Sequence, residues 1–156
     1  DCHRKYMKTL LFETKEIELL VESEATRPKG IAPDHLSSDD KKLFTNVVIA
    51  WLCIEDGDTI QDANIICNEI EKYAKMVSRK VVVVPFFHLS ENASTNDEFN
   101  KGKISYISSQ LKRKQLLSAK LGYGYHRSII AKWMTFGHQV GVAFRSSKHH
   151  KLVSYE

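Results

Sequence analysis

The chain has 156 residues, of which 42% are hydrophobic and 27% charged, a balance that suits one compact domain with a core large enough to fold unaided and leaves no room for a second. A net charge of +4 and a pI near 8.9 favour an encounter with a polyanion without approaching the bias of a histone-like binder. No stretch nears the ~20 apolar residues that span a bilayer, and no signal-peptide pattern is present.

In chain order, Asp1–Tyr6 read as a leader, ahead of an opening strand Met7–Phe12. Glu16–Val21 alternate acidic with apolar residues and predict a hairpin partner returning along it. Glu22–Lys42, rich in Pro, Ser, Asp and Lys, predict a long functional loop. A long apolar strand, Leu43–Ile54, follows, closed by the turn Glu55-Asp56-Gly57-Asp58. From Thr59 to Ser78 the apolar residues recur at helical spacing, with Asp58 or Thr59 as amino-terminal cap.

Val81–Val84 are four successive β-branched residues, which predict a strand covered on both faces and parallel to the one before the helix. Pro85 has no amide proton and ends the ladder. Beyond it come Phe86, Phe87, His88 and a polar run, at the carboxyl edge of a central strand, where open α/β sheets place ligands. A histidine that merely caps a loop is the plainer reading. A second helix is predicted over Phe99–Leu117, with Ile104, Ile107 and Leu111 inward and Lys112, Arg113 and Lys114 at its end. Two strands, Tyr123–Trp133 and His138–Phe144, complete an α/β domain with a mixed sheet and two helices; residues 149–156 read as a tail or the start of a linker.

Few familiar chemistries fit. Cys2-His3 and His149-His150 lie at the chain ends without a CxxC or HExxH partner, so neither a metal nor another cofactor is expected. There is no Gly-x-Ser-x-Gly elbow, and Cys53 and Cys67 sit in apolar runs as core residues of a reducing, cytosolic protein would. The basic residues Lys112, Arg113, Lys114 and Lys120 read either as a solvated face or as contacts for phosphates.

Pro85-Phe86-Phe87-His88-Leu89-Ser90 resembles the Pro-Phe-x-His-Leu-Ser signature of the amino-terminal editing domain of archaeal-type threonyl-tRNA synthetases, a family that shares its fold with D-aminoacyl-tRNA deacylases. Met7–Phe12 and Val47–Glu55 are similar to the family's first and third strands, and Gly124-Tyr125-His126-Arg127 followed by Gly137-His138 to its late motif. The resemblance covers Met7 to Arg145 and implies residues 7–148 as the domain. It implies hydrolysis of seryl-tRNA(Thr) made in error, because a synthesis site sized for threonine rejects serine by only about 1–3 kcal/mol. It also implies chemistry leaning on the ribose 2′-hydroxyl of the tRNA, a homodimer, and synthetase domains downstream or on a separate chain.

Carried over residue by residue, His88, Arg127 and His126 would be catalytic, and Ile54, Pro85, Phe86, Phe87, Leu121 and Tyr125 would line the substrate pocket. Lys112, Arg113, Lys114 and Lys120 would meet the acceptor end. The sequence departs from the family where Arg127 replaces a lysine, His126 a tyrosine or threonine, Gln139 a proline and Val142 a glutamate. A guanidinium stays charged and cannot act as a base. These departures keep open a catalytically silent tRNA-binding module; a freestanding D-aminoacyl-tRNA deacylase is the other alternative, without its Ser-Gln-x-x-Thr and Gly-Pro signatures here.

Overall fold

Four β-branched valines in a row leave strand β3, Lys80–Pro85, with no polar face, and all four are buried in the computed structural model. Residues 7–24, 43–86, 93–121, 125–133, 140–146 and 150–155 are described, with side chains for 7–18, 43–86 and 93–121. Val81 and Val83 join the core beneath the helices; Val82 and Val84 join a second cluster on the opposite face. The strand is covered on both sides, as the run demands.

The first strand is not half of a hairpin. Lys8–Glu24 form one strand, β1, of 17 residues, antiparallel to β2, Leu43–Cys53. Glu13-Thr14-Lys15 contain no turn residue that could reverse the chain. What happens instead is a local irregularity. Lys15 drops out of the pairing opposite Asn46, which takes a left-handed φ of 53°. Before it Met7 and Leu11 face the helices; after it the paired Ile17 and Phe44 face the other side. The pairing register is unchanged across this point, so both strands lose one step of their two-residue alternation together and exchange faces. Glu22–Glu24 belong to β1, and the rest of the expected loop, 25–42, lies outside the described residues.

Helix α1, Ile60–Val77, begins at a capping box in which Thr59 and Asp62 each bond the other's backbone amide. Its buried stripe includes Ala63, Ile66, Ile70 and Ala74, and it connects β2 to β3 as parallel neighbours. Helix α2, Asp97–Arg113, buries Ile104, Ile107 and Leu111 as expected but ends four residues earlier than its predicted limit. Gln115 adopts φ 60°, and Leu117–Lys120 become strand β4, parallel to β3. No glycine or proline announced that stop.

The remaining strands are β5 (Tyr125–Trp133), β6 (Val140–Ser146) and β7 (His150–Tyr155). One edge of β1 pairs with β6 near its start and with β5 along its later half, and β7, read from sequence as tail, pairs with β6. The result is a mixed seven-stranded sheet ordered β4-β3-β2-β1-β6-β7, with β5 added to β1. Among the described residues no helix is long and apolar enough to cross a membrane.

Candidate active site at the carboxyl edge of the sheet

Three parallel strands end together. Phe86 N donates to Leu52 O at 2.9 Å and Leu121 N to Val83 O at 2.9 Å, so the ends of β2, β3 and β4 lie side by side. Ile54 and Leu121 are fully buried there; Pro85 and Phe86 are half-buried, and the Phe86 ring sits 5.2 Å from that of Trp51. Four of the sequence-expected pocket residues, Ile54, Pro85, Phe86 and Leu121, thus share one edge. Phe87 and His88 lie outside the described residues.

Tyr125, His126 and Arg127 open β5, their backbones facing Glu24, Ser23 and Val21 of β1. Three residues separate Tyr125 from Leu121, and the four peptide steps between them span at most about 14 Å. Lys120 lies at that edge. Lys112, Arg113 and Lys114 do not: they close α2 at the amino edge, a β3 length of about 16 Å away. Lys114 Nζ is also engaged by Glu71 at 2.6 Å.

The chain returns from the signature into a pinned segment. Ala93 bridges Glu55, Ser94 N donates to Ile54 O at 2.8 Å, and the buried Asn100 donates from Nδ2 to Ser94 O at 2.6 Å. Both ends of the Phe86–Ala93 excursion are therefore held by Leu52–Glu55. Beside them lies a buried polar cluster that sequence reading took for a simple turn. Lys8 Nζ meets Glu55 Oε2 at 2.6 Å, while Asp58 accepts from Met7 N at 2.9 Å and Glu55 N at 2.7 Å. The signal for it was Glu-Asp-Gly-Asp running into Thr-x-x-Asp, a turn whose acids had to be satisfied on burial.

Burial pushes the Asp58 carboxyl up to about 6, against its two backbone hydrogen bonds and with help from the nearby Asp62 and Glu55 carboxylates. Such a raised value makes the folded state bind a proton that the unfolded chain, near 3.8, does not. The cost of the buried charge is present above pH 6 and relieved as pH falls toward 4. Wild type is therefore expected to gain about 1–3 kcal/mol relative to Asp58→Asn between pH 7 and pH 4.5, read from urea midpoints. A pH-independent difference would refute it.

The thiols are not poised for attack. Cys53 and Cys67 are buried, and burial drives Cys67 up to about 11. Among the described residues no group of three or more His, Cys, Asp or Glu could hold a metal ion.

The sequence matches the family described as the archaea-specific editing domain of threonyl-tRNA synthetase over residues 7–146. No curated protein matches it. Among solved structures, the c-Myc DNA unwinding element binding protein is similar with a TM-score of 0.57 at 11% identity, covering 96% of this chain and 97% of that one, a likeness of fold. The fold is the D-aminoacyl-tRNA deacylase-like one that the resemblance implied. A match over residues 7–146 makes the chain a member of the archaeal threonyl-tRNA synthetase editing-domain family.

Proposed function

We propose that this domain proofreads threonine tRNA by hydrolysing L-seryl-tRNA(Thr), with the free 2′-hydroxyl of the terminal ribose assisting attack on the ester. The observation that carries the reading is the family match over residues 7–146 together with the placement of Ile54, Pro85, Phe86 and Leu121 along the carboxyl edge of β2–β4. An apolar pocket at this edge would discriminate by size. His88 follows the strand that ends there and orients the ester or the water. Phe87 narrows the pocket, Tyr125 lines it, and Arg127 with His126 supplies a charge and a hydrogen-bonding group from β5. Lys120 meets the acceptor end nearest the ester, with Lys112, Arg113 and Lys114 contacting phosphates farther off. The domain acts as a homodimer in the cytoplasm, beside synthetase domains on the same or a separate chain.

The test compares two esters of one tRNA. Seryl-tRNA(Thr) is expected to be deacylated at least about 100-fold faster than threonyl-tRNA(Thr), because the extra methyl clashes in a pocket sized for serine. Equal rates would defeat the proposal. A silent tRNA-binding module is the second reading, favoured by Arg127 and Val142, and it predicts no deacylation of either ester.

A further inference from the structure

The described charges are unevenly spread between the sheet edges, although Lys8, Lys101 and Lys120 lie at the carboxyl edge and Glu16 and Glu18 near the amino one. Acids lie around the helix starts, with Asp56 and Asp58 before α1 and Asp97 and Glu98 opening α2. Cations gather at the other end, where α1 and α2 finish and β3 and β4 begin: Lys72 and Lys75 from α1, Arg79 and Lys80 beyond it, and the Lys112-Arg113-Lys114 run. The two helix ends are joined there, since Glu71 accepts from Lys75 at 2.7 Å and from Lys114 at 2.6 Å.

Some of this charge serves the fold. Glu71 neutralises part of it, and the Lys114 and Lys75 hydrogen bonds hold its carboxyl below the usual range. The buried Glu13 faces Arg79 at 3.6 Å, and each helix carboxyl end carries about half a negative charge. With Glu69 one turn before Lys72 on α1, seven cations still exceed three carboxylates and two half-charges. Lys72, Lys80 and Lys112 are exposed, with no partner among the described residues, and Arg113 reaches only Gln110 at 3.5 Å. Between the helix end and β3 a cavity of ≈ 290 Å³ opens, lined in part by Lys75, Ser78, Arg79 and Lys80. Arg79 Nε donates no hydrogen bond there among the described residues. Counter-charge for the helix dipoles explains neither the surplus nor the cavity.

We propose that this amino-edge face is a docking surface for the sugar-phosphate backbone of an RNA stem, separate from the pocket that takes the ester, with the Lys75–Lys80 cavity seating one phosphate. It rests on tRNA being the partner of the pocket. The placement suits such a substrate: the face lies about one β3 length from the carboxyl edge, a span that a short single-stranded 3′ end covers. The acids around the helix starts repel a backbone laid across that end. Contacts of this kind hold the stem without reading its sequence.

The experiment measures binding of an unacylated acceptor-stem RNA hairpin to the full chain as a function of KCl, so no hydrolysis is needed. Lys80→Glu/Lys112→Glu is compared with Lys101→Glu/Lys103→Glu, which changes net charge equally in the first two turns of α2, at the opposite end of the domain. The first pair is expected to bind about 10-fold or more weakly at low salt, with the slope of log Kd against log salt shallower by about 2; the second should lose less than about 3-fold. Thermal melts confirm that both variants fold. Equal losses in both pairs, or wild-type affinity in the first, would overturn the proposal. So would weaker capture of a separately expressed synthetase domain by the first pair with unchanged RNA binding. If seryl-tRNA is not hydrolysed but the binding differences hold, the face stands and the editing reading fails; hydrolysis with no binding difference gives the reverse.

Discussion

Seryl-tRNA(Thr) whose terminal adenosine lacks its free 2′-hydroxyl is expected to bind nearly as well as the native substrate and to be hydrolysed at least about 100-fold more slowly, the signature of a lost transition-state contact. Burial keeps Cys67 protonated at neutral pH with a value of about 11, and Cys53 is equally enclosed. Arg127 stays charged and cannot take a proton. A hydroxyl on the neighbouring ribose carbon, by contrast, is held beside the ester at high effective concentration by the substrate's own covalent frame. Single-turnover rates on ribose and deoxyribose esters decide the matter. Rapid turnover of the deoxy substrate would assign the chemistry to a side chain, with His88 and His126 the first to replace.

Lys8→Ala is expected to lower stability by about 2–4 kcal/mol, because Glu55 is fully buried and its 2.6 Å partner would be gone. Glu55 Oε1 already has no hydrogen bond, so little else offsets the stranded charge. Replacing both ends is a different matter. Lys8→Met/Glu55→Leu removes the charges together, and its stability should fall within about 1 kcal/mol of wild type. Urea denaturation of the two variants separates the cases, and equal destabilisation would show that the pair acts only through packing. Since Glu55 also bridges Ala93, Lys8→Ala should slow deacylation more than its effect on folding accounts for at temperatures where it stays folded.

Much of this was open to local reading. Val81–Val84 had to be buried on both faces because β-branched residues without a polar alternate leave no side for water, and the strand does end at Pro85, although Phe86 N still bonds Leu52 O beyond it. The cap and stripe of α1 follow from Thr59, Asp62 and 3.6-residue spacing. The same run carries the family signature.

What the tertiary structure decided are matters of which end and which face. Glu16–Val21 alternate equally well as a hairpin return or as a continuation, and only pairing with both β2 and β5 made β1 one strand. The switch of faces at Lys15 and Asn46 depends on a register between segments about thirty residues apart. Lys112–Lys114 and Lys120 look like one basic cluster in sequence. A four-residue strand, β4, carries the chain from one edge of the sheet to the other between them, so they serve opposite ends of the molecule. Lys8 and Glu55 meet across 47 residues because β1 and β2 run antiparallel, a partnership that no local propensity encodes.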